Sequence, residues 1–328
     1  MGRLRTILSV AVAVALAWAA CAAAGLPPRH GPGASPLGFA SRLEGQSGTT
    51  LLAGARPDEA GRGAGTPAAE APSAPRRLVI RPNPEADWGG ASMADVSKVL
   101  RSAADTLWVQ APERRLAPIQ VEPKGGPIVL FKRGPGGVYR VRLNTGGTYW
   151  AQYAFQFAHE FCHILCRYES TEKANKWFEE SVCETASLFA LRRMADGWKT
   201  HPPYPNWRDF APHLASYAAD RIKTARPPEG TTLAQWYRTH ADHLRTHSCD
   251  RPKNEIVAGV LLPLFEAKPA RWQAVQYLNA GARPEPRTFA AYLADWRGHC
   301  PPEHRPFVDE VAARFAIRLP SAPPVNAD

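Results

Sequence analysis

Hydrophobic and polar positions divide the chain into an apolar start, a long stretch without a period, and a patterned region from residue 78 onward. Leu78 to Arg81 predicts a short strand. From Met93 to Val109, Val96, Leu100, Ala103, Ala104 and Leu107 recur at helical spacing. Residues 118–122, 127–133 and 138–144 predict strands, the last two joined by the turn-forming run Gly134-Pro135-Gly136-Gly137. In Val138 to Leu143 apolar residues alternate partly with Arg, the pattern of a half-exposed strand. Beyond Asn144-Thr145-Gly146-Gly147 the period becomes helical, with Thr148 placed to cap a helix reaching about Tyr168. A second helix fits Glu172 to Trp198, and helices punctuated by Pro fit 206–224, 231–247, 253–267, 268–280, 287–297 and 304–317. The layout is α+β: residues 78–200 carry a small mixed sheet with its helices, 201–320 form a mostly helical subdomain, and 321–328 are a flexible tail.

The apolar start changes where the protein is expected to work. Arg3 and Arg5 precede an apolar run, Ile7 to Ala20, and then Ala22-Ala23-Ala24, so residues 1–24 have the layout of a secretory signal peptide. Cys21 as a lipid attachment point, or 7–26 as an uncleaved anchor, are the alternatives. The chain is expected to be exported, periplasmic or secreted, and to meet a membrane only through this segment. Residues 25–77 hold 10 Gly and 8 Pro and read as a disordered linker, too poor in apolar residues to offset the entropy of ordering. The net charge of +10 does not change the picture. Of the 40 basic residues 31 are Arg, scattered without a dense run interleaved with aromatics, so no nucleic-acid partner is expected.

The chemistry concentrates in His159-Glu160-Phe161-Cys162-His163. Two His four residues apart on a helix project from one face, a spacing that suits two nitrogens on one zinc ion. At about 100° per residue, Trp150, Tyr153, Phe157, Phe161 and Ile164 form one apolar stripe. His159 and His163 fall on the other side, as they would if they lined a cleft. On the next helix Trp177, Glu180, Glu184, Leu188 and Leu191 share a stripe. Two carboxylates a turn apart among large apolar residues repel each other and are costly to bury, so they require a cation: a metal, or an Arg such as Arg192 or Arg193.

The HExxH motif followed by Trp177-x-x-Glu180-x-x-x-Glu184 resembles the gluzincin zinc metallopeptidases, the group of thermolysin and the membrane alanyl aminopeptidases. The resemblance covers about residues 138–195. It implies a zincin-like fold, Zn²⁺ on His159, His163 and Glu180, Glu184 orienting His159, and Glu160 as general base. It also implies a peptide or protein substrate that pairs with the strand 138–143. His163 and Glu180 are 17 residues apart, a few fewer than in either named family, which implies a separate and compact branch. Tyr204, Tyr217, Tyr237, His240 and His243 are candidates for stabilising an oxyanion. Two other functions fit the same residues: a non-catalytic binding protein on a zincin scaffold, and a zinc hydrolase of a non-peptide envelope amide or ester.

The cysteines add three expectations. Cys249 and Cys300 are placed for a disulfide. Cys162 and Cys183 read as buried thiols. Cys166 is an alternative metal ligand, and an axial offset of ~10 Å puts it beyond disulfide reach of Cys183.

Overall fold

The computed structural model describes residues 78–110, 114–281 and 285–320, which lie in a single compact unit. The expected signal peptide with Cys21, the expected linker 25–77 and the expected tail 321–328 lie outside the described residues. The fold is α+β, mostly helical, around one small four-stranded sheet.

Strands β1 (Ile80–Pro82), β2 (Ile119–Glu122), β3 (Ile128–Val129) and β4 (Tyr139–Arg142) stand in the order β1-β2-β4-β3. The first two pairings are parallel and β3–β4 is antiparallel. Helix α1 (Met93–Trp108) supplies the crossover from β1 to β2 that parallel strands require. Ser92 caps it by accepting the Asp95 N–H, and Val96, Val99, Leu100, Ala103 and Leu107 are buried.

This order corrects one expectation. The strand at 138–143 is β4, an inner strand with β2 on one side and β3 on the other. Its backbone groups are engaged by both neighbours, so it cannot take an extended peptide. The edge strand next to it is the two-residue β3, with Val129 opposite Val141. Gly126 brings the chain into β3 so tightly that a Cβ there would sit 2.0 Å from the Arg142 carbonyl oxygen.

Helix α2 (Trp150–Leu165) lies next to β3 and packs on α1. Thr148 does not cap it; the cap position is Tyr149, without a side-chain bond. Helix α3 (Lys176–Thr200) is the centre of the fold, packing against α2, α4 (Ala211–Ile222) and α6 (Arg251–Ala267). Surrounded this way, α3 is buried all round as far as Leu191, and its polar residues must be satisfied inside. Ser181 and Thr185 donate to the carbonyls of Trp177 and Ser181 four residues back, and Ser187 donates to the Phe155 carbonyl on α2.

Trp177 and Phe178, at the start of α3, dock the C-terminal helices. Trp177 packs on Tyr237 of α5 (Leu233–Thr246), and both pack on Phe289 of α8 (Phe289–His299). The stretch 268–280 is shorter as a helix than its pattern suggests: only α7 (Trp272–Val275) is α-helical, entered through a Pro269–Arg271 3₁₀ turn. Helix α9 (Arg305–Arg314) closes the bundle. No helix among the described residues is long and apolar enough to cross a membrane.

The close approach of α6 to the turn after α4 depends on Gly259, where a Cβ would lie 1.7 Å from the Ala225 carbonyl oxygen. Backbone cannot yield as a flexible side chain would. Gly259→Ala should therefore destabilise the protein by roughly 1–3 kcal/mol, read as a lower urea midpoint with an unchanged slope. An unchanged midpoint would show that α6 is not held this closely.

Candidate metal centre

The helix pair α2–α3 brings four of the five predicted site residues, His159, His163, Glu180 and Glu184, into one cluster. His159 Nε2 and His163 Nε2 both face Glu180 Oε2, at 3.3 and 3.5 Å. The two imidazoles stand 4.9 Å apart, centre to centre, and nearly edge-on. The remaining ring nitrogens are backed by carboxylates. His159 Nδ1 lies 3.5 Å from Glu184 Oε2, and His163 Nδ1 lies 2.6 Å from Glu179 Oε1. Glu184 thus stands beside His159, where the resemblance put it.

Glu179, one residue before the predicted ligand, is the member that sequence reasoning missed. It is fully buried and also accepts hydrogen bonds from Thr171 Oγ1 and from Asn279 Nδ2, the latter at 2.7 Å. Asn279 in turn accepts from the Tyr292 hydroxyl at 2.8 Å. A chain of bonds therefore runs from the helical half of the protein into His163. The available signal was the doublet Glu179-Glu180, which puts neighbouring carboxylates on two sides of the same turn.

The cation that the paired carboxylates require is not Arg192, which pairs with Glu266 at 2.6 Å. Lys176 Nζ lies 3.2 Å from Glu180 Oε1, and Arg221 approaches Glu184 Oε1 at 3.9 Å. Arg221 is shared with Glu255, which is nearer at 3.2 Å, so the buried carboxylates outnumber the cations beside them. Imidazolium rings or a metal ion would balance the excess.

Glu160 departs from the expected cleft. It is only 2 % exposed and faces the Val129 backbone N–H of β3, with Oε2 unpartnered. Burial pushes its carboxyl pKa up, while His159, His163 and the Val129 backbone N–H act to lower it. The solvent-facing member of the site is His159, whose side chain is 16 % exposed. The physical reason is that α2 is covered on one flank by the sheet and on the other by α3, which leaves an opening at His159 alone among these residues.

Of the oxyanion candidates, Tyr217 comes closest in bonding terms: its hydroxyl accepts from Arg221 Nη2 at 3.1 Å, beside Glu184. Tyr237 is part of the aromatic packing around Trp177, Tyr204 packs on Trp207, and His240 packs on Trp236. His243 bonds Asp250, the cap of α6, at 2.7 Å.

The cysteines correct two expectations. Cys300 is a free, buried thiol, so the Cys249–Cys300 bridge is not formed. Its sulfur points inward toward the Ala274 carbonyl at 3.9 Å. Cys166 and Cys183 are free thiols as well, but their sulfurs lie within 4.8 Å, far closer than the expected offset. Side chains lean toward the N-terminus of their own helix. In an antiparallel pair such as α2 and α3 that lean carries these two sulfurs toward each other.

Donor spacing is a direct test of whether a metal fits. At bond lengths of about 2.0–2.1 Å, tetrahedral zinc ligands are spaced about 3.3–3.4 Å apart. Two of the three donor pairs match that spacing: the Nε2 atoms of His159 and His163 lie 3.3 and 3.5 Å from Glu180 Oε2. Cys183 Sγ also lies within 4.8 Å of donor atoms on both His. Glu180 and Cys183 are thus the two candidates for a third donor, and both Nε2 atoms face Glu180.

Without metal, burial lowers the imidazole pKa values, but the surrounding carboxylates outweigh it. His159 is raised to about 9 by Glu180 and Glu184, and His163 is raised well above its usual value by Glu180 and Glu179. A His raised on folding adds stability that is fully present below its unfolded value of 6.5 and is lost as pH climbs through the folded value. Chelator-treated protein should therefore lose stability as pH rises from 6.5 toward about 9. Zinc must displace those protons, so its stabilising effect should grow over the same window. Thermal melts with chelator and with excess zinc check this; equal declines in both would argue against zinc at the two His.

Compared with known proteins, the chain matches no family model, no curated protein and no solved structure.

Proposed function

We infer that this chain is an exported zinc-dependent metallopeptidase of gluzincin type, built on a zincin-like scaffold. The observation that carries the reading is the convergence of both imidazole Nε2 atoms on one oxygen of Glu180, with a carboxylate behind each opposite ring nitrogen. Such backing carboxylates fix the tautomer of a metal-bound His and raise its basicity.

His159, His163 and Glu180 would hold the ion. When bound, zinc supplies Lewis acidity, lowering the pKa of a water toward ~7 and polarising a carbonyl. Glu160 would act as general base, taking a proton from water and returning it to the leaving amine, for which a carboxyl with a raised pKa is suited. Arg221, with Tyr217, is the group placed to hold Glu184 in line behind His159.

The depth of Glu160 favours one second reading, a module that holds zinc without turnover. Metal analysis of the purified protein together with a peptide-hydrolysis assay tests both. About one zinc per chain at this centre with chelator-sensitive hydrolysis is the expected result. Zinc without hydrolysis of peptides, amides or esters leaves the holding module, and absence of zinc overturns both.

A further inference from the structure

Behind the His/Glu cluster, three free thiols meet between α2 and α3. Cys162, Cys166 and Cys183 are fully buried, and their sulfurs all lie within 4.8 Å of one another. Cys162 Sγ and Cys166 Sγ, on successive turns of α2, are 3.9 Å apart. We propose that Cys162, Cys166 and Cys183 form a second metal site, which takes a thiophilic ion such as zinc, cadmium or copper(I).

The spacing fits that chemistry. Three sulfurs bound to one ion at about 2.3 Å stand about 3.8–4.0 Å apart, and Cys162 and Cys166, at 3.9 Å, are already there. A set made only of sulfur selects soft ions over magnesium or calcium. Three thiolates on a divalent ion leave one negative charge, and a cation is at hand. Arg114 donates to the carbonyls of Ile164, at 2.7 Å, and Leu165, on the residues just before Cys166. Asn279 donates to the Cys166 carbonyl at 2.9 Å and also bonds Glu179, so the backbone beside the thiols is tied to the neighbouring cluster. Simple packing would be served by any small apolar residue. It does not require three sulfurs converging from two helices.

This site does not depend on the hydrolase reading, and cadmium separates the two. The full chain is refolded with cadmium alone, and bound metal is counted beside the ultraviolet thiolate-to-cadmium absorption. Two cadmium ions per chain with that absorption are expected. Cys166→Ser should lose the absorption and one ion, while Glu180→Ala should keep the absorption with one ion. A wild-type protein without the absorption would overturn the proposal, as would absorption that survives in Cys166→Ser. A single ion lost in both variants would mean one mixed site and would overturn it too. If Cys166→Ser does not fold, cadmium-113 resonance of the wild-type protein decides, because its shift reports how many sulfurs bind: three supports the site, and one or none overturns it.

Discussion

Glu160→Gln should leave zinc bound and remove most of the hydrolytic rate. The change replaces one oxygen by nitrogen in a side chain of the same size, in a buried position where volume matters. His159, His163 and Glu180 are untouched, and the remaining amide oxygen can still face the Val129 N–H. What is lost is the ability to accept a proton. General-base catalysis typically contributes ~10²–10⁴-fold, and a loss of that size in kcat, at unchanged metal content, is the expected result. Steady-state kinetics on metal-quantified protein decide the matter. Turnover equal to wild type would remove Glu160 from the mechanism and with it the metallopeptidase reading.

Glu180→Ala should abolish zinc binding at the His pair. The carboxylate is the point on which both Nε2 atoms converge, and it is also the partner of Lys176. His159→Ala should have the same effect. Changes one step further out should be milder. Glu184→Ala and Glu179→Ala each remove the group that orients one imidazole, and a weakening of about 10- to 100-fold in zinc affinity is expected for each. Competition with a chromophoric chelator measures all four variants on one scale. Full occupancy in Glu180→Ala would transfer the third position to another donor, with Cys183 the nearest by geometry.

Most of the cluster was legible because helical spacing is rigid. His159 and His163 at i and i+4, and Glu180 and Glu184 at i and i+4, can only project as two pairs, one from each helix. That Glu184 would stand beside His159 came from the resemblance, which implied an antiparallel pair of helices. The apolar stripe Trp150, Tyr153, Phe157, Phe161 and Ile164 is buried as its period implied. Glu179 was not legible, because its role depends on Asn279 and Thr171, which approach from other parts of the chain. The partners of Glu180 and Glu184 were missed for a similar reason. Lys176 is a turn away on the same helix, but Arg221 comes from α4, and no local pattern announces it.

Sequence alone determined most of the elements, the α+β layout and the residue types that meet at the centre, since these follow from periods of two and 3.6 and from turn residues; the extents of 127–133 and 268–280 it did not. Tertiary structure decided which strand is the edge. An alternating pattern is the same for β4 whether it has one neighbour or two, and only the pairing with β2 and β3 made it an inner strand. It also decided how deeply Glu160 lies, because burial is a property of what packs over a side chain and not of the side chain itself. The three cysteines show the same division most sharply. Their presence on two helices was plain in the sequence. Their meeting depended on the lean of side chains across an antiparallel pair, which exists only once the helices have packed.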